Sequence, residues 1–266
     1  MAQEKWLIDG AKVIDVEHVS KLKVSLIAGK VDIVGHDEPG ARIEVHSVSG
    51  KELKVSIDNG TLEIDHPQLS WDNFLDVFAS FRGSARADVS IMVPRNVALT
   101  FGVVSASALI SGLTTDATIS TVSGDLVVDG LTGALQLNGV SGEIAVGGHS
   151  GRISSRTVSG DITAAGDLTV FTAESVSGDV FADITGTPDE VRISTVSGGV
   201  TTRLAPGTPA QYKINTVGGK VQLDDAEIKG VHGQYTGKYG TLDAKWVDFK
   251  ANTVSGRINV MHAVSA

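Results

Sequence analysis

Apolar and polar residues alternate along most of this chain, and the alternation itself repeats. A Val-Ser-Gly step marks each repeat, at Val122, Val140, Val158, Val176, Val196 and Val254, with Val217-Gly218-Gly219 as a variant. Val104-Ser105-Ala106 is a degenerate first copy, and the successive intervals are 18, 18, 18, 18, 20, 21 and 37 residues. Aligned on the Val, the residues five and three places earlier are mostly apolar, as in Leu135 and Leu137 or Val191 and Ile193. Their neighbours Gln136, Ser154, Thr172, Arg192, Lys213 and Lys250 are polar. Four places after the Val stands a second apolar column, from Leu126 and Ile144 to Ile258. Each repeat therefore predicts two short strands with one face inside, joined at the Ser-Gly corner, and a far corner at Gly112, Gly130, Gly148 and Gly166 where φ is expected to be positive. The marker Val is assigned to the interior, Ser-Gly to the corner and the next charged residue to water. One such coil cannot bury its apolar face alone, so the pattern predicts an all-β fold, a parallel β-solenoid of coils about 18 residues long.

Two regions depart from the repeat. Residues 1–98 alternate without the marker, as in Leu22, Val24 and Leu26 or Val89, Ile91 and Val93, with a turn signal at Asp58-Asn59-Gly60. They read as a less regular β region that begins or caps the solenoid of residues 99–266. Within them Trp71, Phe74, Leu75, Phe78 and Phe81 fall at helical spacing after Ser70. That spacing predicts a short amphipathic helix over 71–81, either a lid on the core or a docking site, with Trp71, Phe74, Phe78 and Phe81 as the candidate contacts. The stretch from Asp224 to Lys245 is rich in Gly, Tyr and His and is read as a degenerate coil.

Composition narrows the function. The chain has 266 residues, 31 of them Gly, no Cys, and a formal net charge of -9. The acidic balance disfavours nucleic acid, whose binding needs Lys and Arg against phosphates. Without cysteine there is neither a disulfide framework nor a thiolate metal site. No apolar run is long enough to span a bilayer, and the first residues lack a signal-peptide pattern, so a cytoplasmic protein without an integral membrane segment is expected.

The Thr157-Val158-Ser159-Gly160-Asp161 copy, the closing Thr253-Val254-Ser255-Gly256-Arg257-Ile258, and Val93-Pro94 ahead of the repeats resemble a bacterial family of β-strand-repeat proteins. That family carries the label "putative adhesin", is of unknown function, and is related to the toastrack domains of envelope-stress systems. The resemblance spans about residues 20 to 262 and implies the solenoid fold without any catalytic residue.

Candidate chemistry is sparse. Asp125, Glu143, Asp161 and Asp179 would stack along one edge, where a divalent cation could relieve their repulsion, but the column breaks at Gly199 and Lys220 and is read as a solvated edge. The histidines at 18, 36, 46, 66, 149, 232 and 262 show no metal-ligand spacing and are read as scattered surface groups. The corner serines form a ladder rather than a single nucleophile. No catalytic residue, metal site or cofactor is therefore expected. The leading expectation is a non-catalytic scaffold or interaction module, engaging a protein partner or a second copy of itself and linked to the envelope or its stress response. An adhesin-like surface or glycan-binding protein is the alternative, and a carbohydrate-active enzyme the third reading.

Overall fold

Residues that alternate β-branched with polar side chains favour extended backbone, and the fold is all-β. The computed structural model describes residues 4–66, 85–228 and 233–264 and holds twenty-two strands and no helix among them. The helix expected over 71–81 lies outside the described residues. Two compact units divide the chain, Met1–Gly133 and Ala134–Ala266, and the onset of the marker falls within the first.

The first unit is built around β3 (Lys21–His36), a long strand whose buried run Val24–Ile27 separates two alternating halves. Its length is paired in parallel with β8 (Ala98–Ser111), with Leu22 on Leu99 and Ile33 on Ile110. On its other flank the first half carries β6 (Thr61–Asp65) and the second half β7 (Arg86–Pro94), both parallel. Antiparallel strands then close this side. β5 (Leu53–Asp58) and β1 (Glu4–Ile8) follow β6, while β4 (Ala41–Ser49) and β2 (Lys12–Val16) follow β7. The β5–β6 turn is the Asp58-Asn59-Gly60 signal, with φ of +46° at Asn59 and +75° at Gly60, as a tight hairpin requires. Beyond β8 the first solenoid coil lies in register, β9 (Ala117–Ser123) on the first half and β10 (Leu126–Asp129) on the second. Within the first unit, β6 and β7 and their antiparallel neighbours thus lie on one flank of β3, and β8 with β9 and β10 on the other.

β11 (Thr132–Ser141), most of which lies in the second unit, leads to β12 (Ile144–Ser159) and β13 (Ile162–Ser177), which pair in parallel with register shifts at Val146/His149 and Gly151/Arg152. The halves of β13 carry β14 (Val180–Ile184) and β15 (Glu190–Ser197). β16 (Val200–Leu204) follows β14. The next strands in space are not the next in sequence. β21 (Val247–Ser255) and β22 (Ile258–His262) lie against β15 and β16, and β17 (Ala210–Thr216) and β18 (Val221–Leu223) lie beyond them. The final coil is thus inserted between two earlier ones. The described residues between Asp224 and Lys245 are therefore not a degenerate coil. β19 (Ala226–Ile228) and β20 (Gly233–Tyr239) run back antiparallel on β18 and β17. They satisfy backbone groups that a terminal parallel coil would leave open.

The aligned columns fill the interior: Phe171, Val191, Phe249 and Tyr212 in one row, and Ile162, Val180, Val200, Ile258 and Val221 in another, all buried. The far-corner expectation also holds, with φ of +68°, +62°, +58° and +150° at Gly112, Gly130, Gly148 and Gly166. At the Ser-Gly corners the demand for glycine is steric. A Cβ on Gly178 would sit on the carbonyl oxygen of Gly160, and one on Gly198 on that of Gly178.

One inside–outside assignment is reversed. The strand does not turn until after the marker Ser, so the inward positions five and three places before the Val continue to the residue directly before it. Thr157, Ser175, Thr195, Thr253 and Thr216 are buried there, and the Thr216 hydroxyl accepts the Gly219 N–H at 2.8 Å. The marker Val then faces outward by the same alternation.

Two stability changes follow. Ile162→Asp should abolish cooperative unfolding of the second unit, because an unpaired buried carboxylate costs on the order of 4 kcal/mol, whereas outward Thr163→Asp should stay within about 1 kcal/mol of wild type. Urea melts of both variants check this, and equal tolerance would refute the interior assigned here. Gly178→Ala should lose about 3 kcal/mol, because the coils cannot separate to admit the methyl group.

Candidate functional site

Two members of the acidic column bind backbone amides. Asp161 Oδ1 accepts the N–H of Asp179 at 2.8 Å, and Asp179 Oδ1 accepts that of Gly199 at 2.7 Å. Each carboxylate ties its coil to the next one. No group of side chains suited to a metal ion occurs among the described residues.

Histidine placement differs from the expected surface scatter. His66 and His149 are buried, and the side chain of His262 is largely so. His262 stacks on Tyr239 at 3.8 Å, with Nδ1 3.0 Å from Asp224 Oδ1 and Nε2 3.0 Å from the Thr208 carbonyl, so it fastens β22 beneath the antiparallel cap. His66 Nδ1 accepts the Ile27 N–H at 3.2 Å, between the two halves of β3. A polar cleft in the first unit gathers His18, His36, Asp37 and Arg95. Its guanidinium is committed within the protein, to Asp37 at 2.7 Å and to the Gly112 carbonyl at 3.0 Å.

What remains unanswered is apolar. In the first unit Ile27, Val104 and Val122, which occupy the marker column, are buried together with Ala85. In the second unit the same column is open, with Val140 37%, Val158 50%, Val176 51%, Val196 48%, Val254 49% and Val217 69% exposed. Pairing sets these side chains in a row. Val158, Val176, Val196 and Val254 stand between matched residues on consecutive strands, and Val217 follows the matched pair Thr216–Thr253. Val140 joins them because Gly139 lies beside Thr157.

The outward positions beside the valines are polar and tied to one another. Two residues earlier, Asn215 Nδ2 donates to Asn252 Oδ1 at 2.7 Å, Asn252 Nδ2 donates to Ser194 Oγ at 3.1 Å, and Arg156 pairs with Glu174 at 3.0 Å. Four residues earlier, Arg192, Lys250 and Lys213 are adjacent, and Glu190 and Asp248 sit beside them. Hydrogen bonds from Arg192 and then Lys250 hold the Glu190 carboxyl below the usual carboxylate range. The result is a sheet face many of whose amide and charged groups already bond to one another, bordered by exposed valines.

The sequence reading missed this row because it placed the marker Val inside. Its own columns carry the signal: inward residues at minus five and minus three put the Val on the opposite face. The docking residues expected from the sequence, Trp71, Phe74, Phe78 and Phe81, lie outside the described residues.

The family described as Toastrack DUF4097 matches the chain over residues 19–261. Among solved structures, a "putative adhesin" from Bacteroides fragilis is 15% identical, covers 93% of this chain and 97% of its own, and superposes with a TM-score of 0.50. A "putative cell adhesion protein" from Clostridium sporogenes is also 15% identical, covers 98% and 100%, and has a TM-score of 0.33. Likeness at this level concerns the fold alone. No curated protein matches the chain.

The buried His66 gives a pH test. Burial, with the Lys51 charge second, pushes its imidazole down to about 4 from 6.5. The folded form refuses a proton that the unfolded chain accepts. Stability is complete above pH ~6.5, falls with pH, and levels off below ~4, a total of about 3 kcal/mol. His66→Gln, which keeps an acceptor, should flatten that part of the stability–pH curve, and an unchanged slope in urea melts would refute the assignment.

Proposed function

Since the chain belongs to the Toastrack family, a family of β-repeat proteins, we propose that it is a non-catalytic interaction module that binds protein through the valine-bordered face of its second unit. The observation that carries this reading is the open marker column itself. Six valines project from neighbouring strands of one unit, and a contiguous apolar row of that kind marks an interaction surface more often than a scatter of single exposed residues does. The support is also chemical. The repeated polar residues have structural employment: Asp161 and Asp179 cap amides, Thr216 closes a corner, and Asn215 and Asn252 bond across strands.

The proposed place of action is the cytoplasm, with the envelope and its stress response as the setting that the resemblance suggests. No helix among the described residues is long and apolar enough to cross a membrane, which is compatible with either setting. Fractionation of source cells separates them, and recovery solely on the outer surface would favour an adhesion role instead.

Val196→Asp tests the face directly, because Val196 is exposed and its replacement leaves the core untouched. In quantitative affinity capture from source cells, at least one protein held by wild type and by Thr163→Asp should fall about tenfold or more with Val196→Asp, the loss expected when an apolar contact is replaced by a charge. A capture profile identical for all three proteins would refute the proposal.

A further inference from the structure

The open valine column rests on the same reading of the face, but the geometry also names an occupant. We propose that the face pairs with a second copy of itself, about a two-fold axis that runs along the strands between β13 and β15.

Area and charge both favour this occupant. Six strands ~4.8 Å apart and three outward columns ~6.6 Å apart form a face of roughly 29 by 20 Å, about 600 Å² in each copy. Two such faces bury about 1,200 Å², the lower bound of a specific protein interface. The chain carries a formal charge of -9, which opposes self-association through most of its surface. This face is an exception. Its cations Arg156, Arg192, Lys213 and Lys250, with Arg152 in the column of Glu190 and Asp248, outnumber the carboxylates Glu174, Glu190 and Asp248, so this face carries none of the chain's excess negative charge.

Symmetry selects the orientation. An axis along the strands lays each column on itself with the strand order reversed. Val176 then faces Val196 of the second copy, Val158 faces Val254, and Val140 faces Val217. In the column two residues earlier, Glu174 meets Ser194 and Arg156 meets Asn252. In the column four residues earlier, Thr172 meets Arg192, Ser154 meets Lys250 and Gln136 meets Lys213. Every charged group of these columns thus lies on a neutral one. An axis along the stack would instead set Arg156 on Arg156 and Glu174 on Glu174, and would oppose the valines to Arg192 and the two lysines. Packed twisted sheets are offset by ~30°, so the central pairs come closest and the outermost pair is the weakest.

Sedimentation velocity on the intact chain tests the pairing. Wild type should pass from monomer to dimer with a midpoint on the order of 10 μM, as expected for an interface of this size. Val196→Asp should shift that midpoint at least ~100-fold while its urea melt stays within ~1 kcal/mol of wild type. Because the chain has no cysteine, the orientation can be read by oxidation. An equimolar mixture of Val158→Cys and Val254→Cys should give a disulfide-linked pair of the two variants, and neither variant alone should cross-link. A wild type that stays monomeric at high concentration, a dimer indifferent to Val196→Asp, or Val158→Cys linking to itself as readily as in the mixture would each overturn the proposal. A monomeric wild type whose cellular partner is still lost with Val196→Asp would remove self-pairing and leave the binding face intact. A dimer whose cellular captures ignore Val196→Asp would do the opposite.

Discussion

Phe171 sits on Val191 and Val191 on Phe249, with their neighbours matched residue for residue along each strand. That parallel, in-register pairing is the constraint from which the second unit follows. It requires equivalent positions to carry equivalent side chains, because each side chain's nearest neighbour is its own counterpart one coil away. Aliphatic columns form a continuous interior, amides find carbonyls of the adjacent coil, and a side chain that faces water does so in every coil. The same constraint makes the corner glycines necessary. Coils held at strand spacing leave no room for a Cβ between the carbonyl of Gly160 and the backbone of Gly178.

Register also decides how polar groups are used. In a globular site an aspartate is singular, and its neighbours define its chemistry. Here Asp161 and Asp179 repeat, and each reaches the amide of the following coil. The carboxylates therefore serve cohesion along the stack. The Asn215–Asn252–Ser194 chain does the same on the outer face. A surface whose amides and ion pairs already bond across strands gains most, on association, from apolar contact. The marker valines supply that contact, and this is why the most regular residue of the repeat becomes the candidate for function.

Parallel stacking has an inherent weakness at its ends, where a coil lacks a neighbour. Both units meet it with antiparallel strands. In the first, β5 and β1 follow β6, and β4 and β2 follow β7; in the second, β20 and β19 cover β17 and β18. His262, held between Asp224 and the Thr208 carbonyl and stacked on Tyr239, fixes the second of these caps. The caps consist of the segments that lack the Val-Ser-Gly marker, since an antiparallel strand does not have to match a coil in register.

Much of this was legible in the residues. The 18-residue period, the inward columns, the glycine corners and the Asp58-Asn59-Gly60 hairpin all follow from local rules, because alternation and turn chemistry act over a few residues. The sequence also held the orientation of the marker Val, in the parity of its distance from Leu135 and Leu137, although the apolar character of valine argued for the interior. Other features are long-range choices that no local pattern encodes. The insertion of β21 and β22 between β15 and β17 depends on which identical-looking coil offers the better neighbour, and near-identical repeats cannot specify that by themselves. Whether a marker valine is covered is decided outside the repeat: Val104 and Val122 are buried together with Ala85, whereas Val158 and Val176 are open. The sequence by itself determined which side chains form columns, because period and alternation are properties of the strand. The tertiary structure decided the order of the coils and which column was left exposed, because both depend on what else packs alongside.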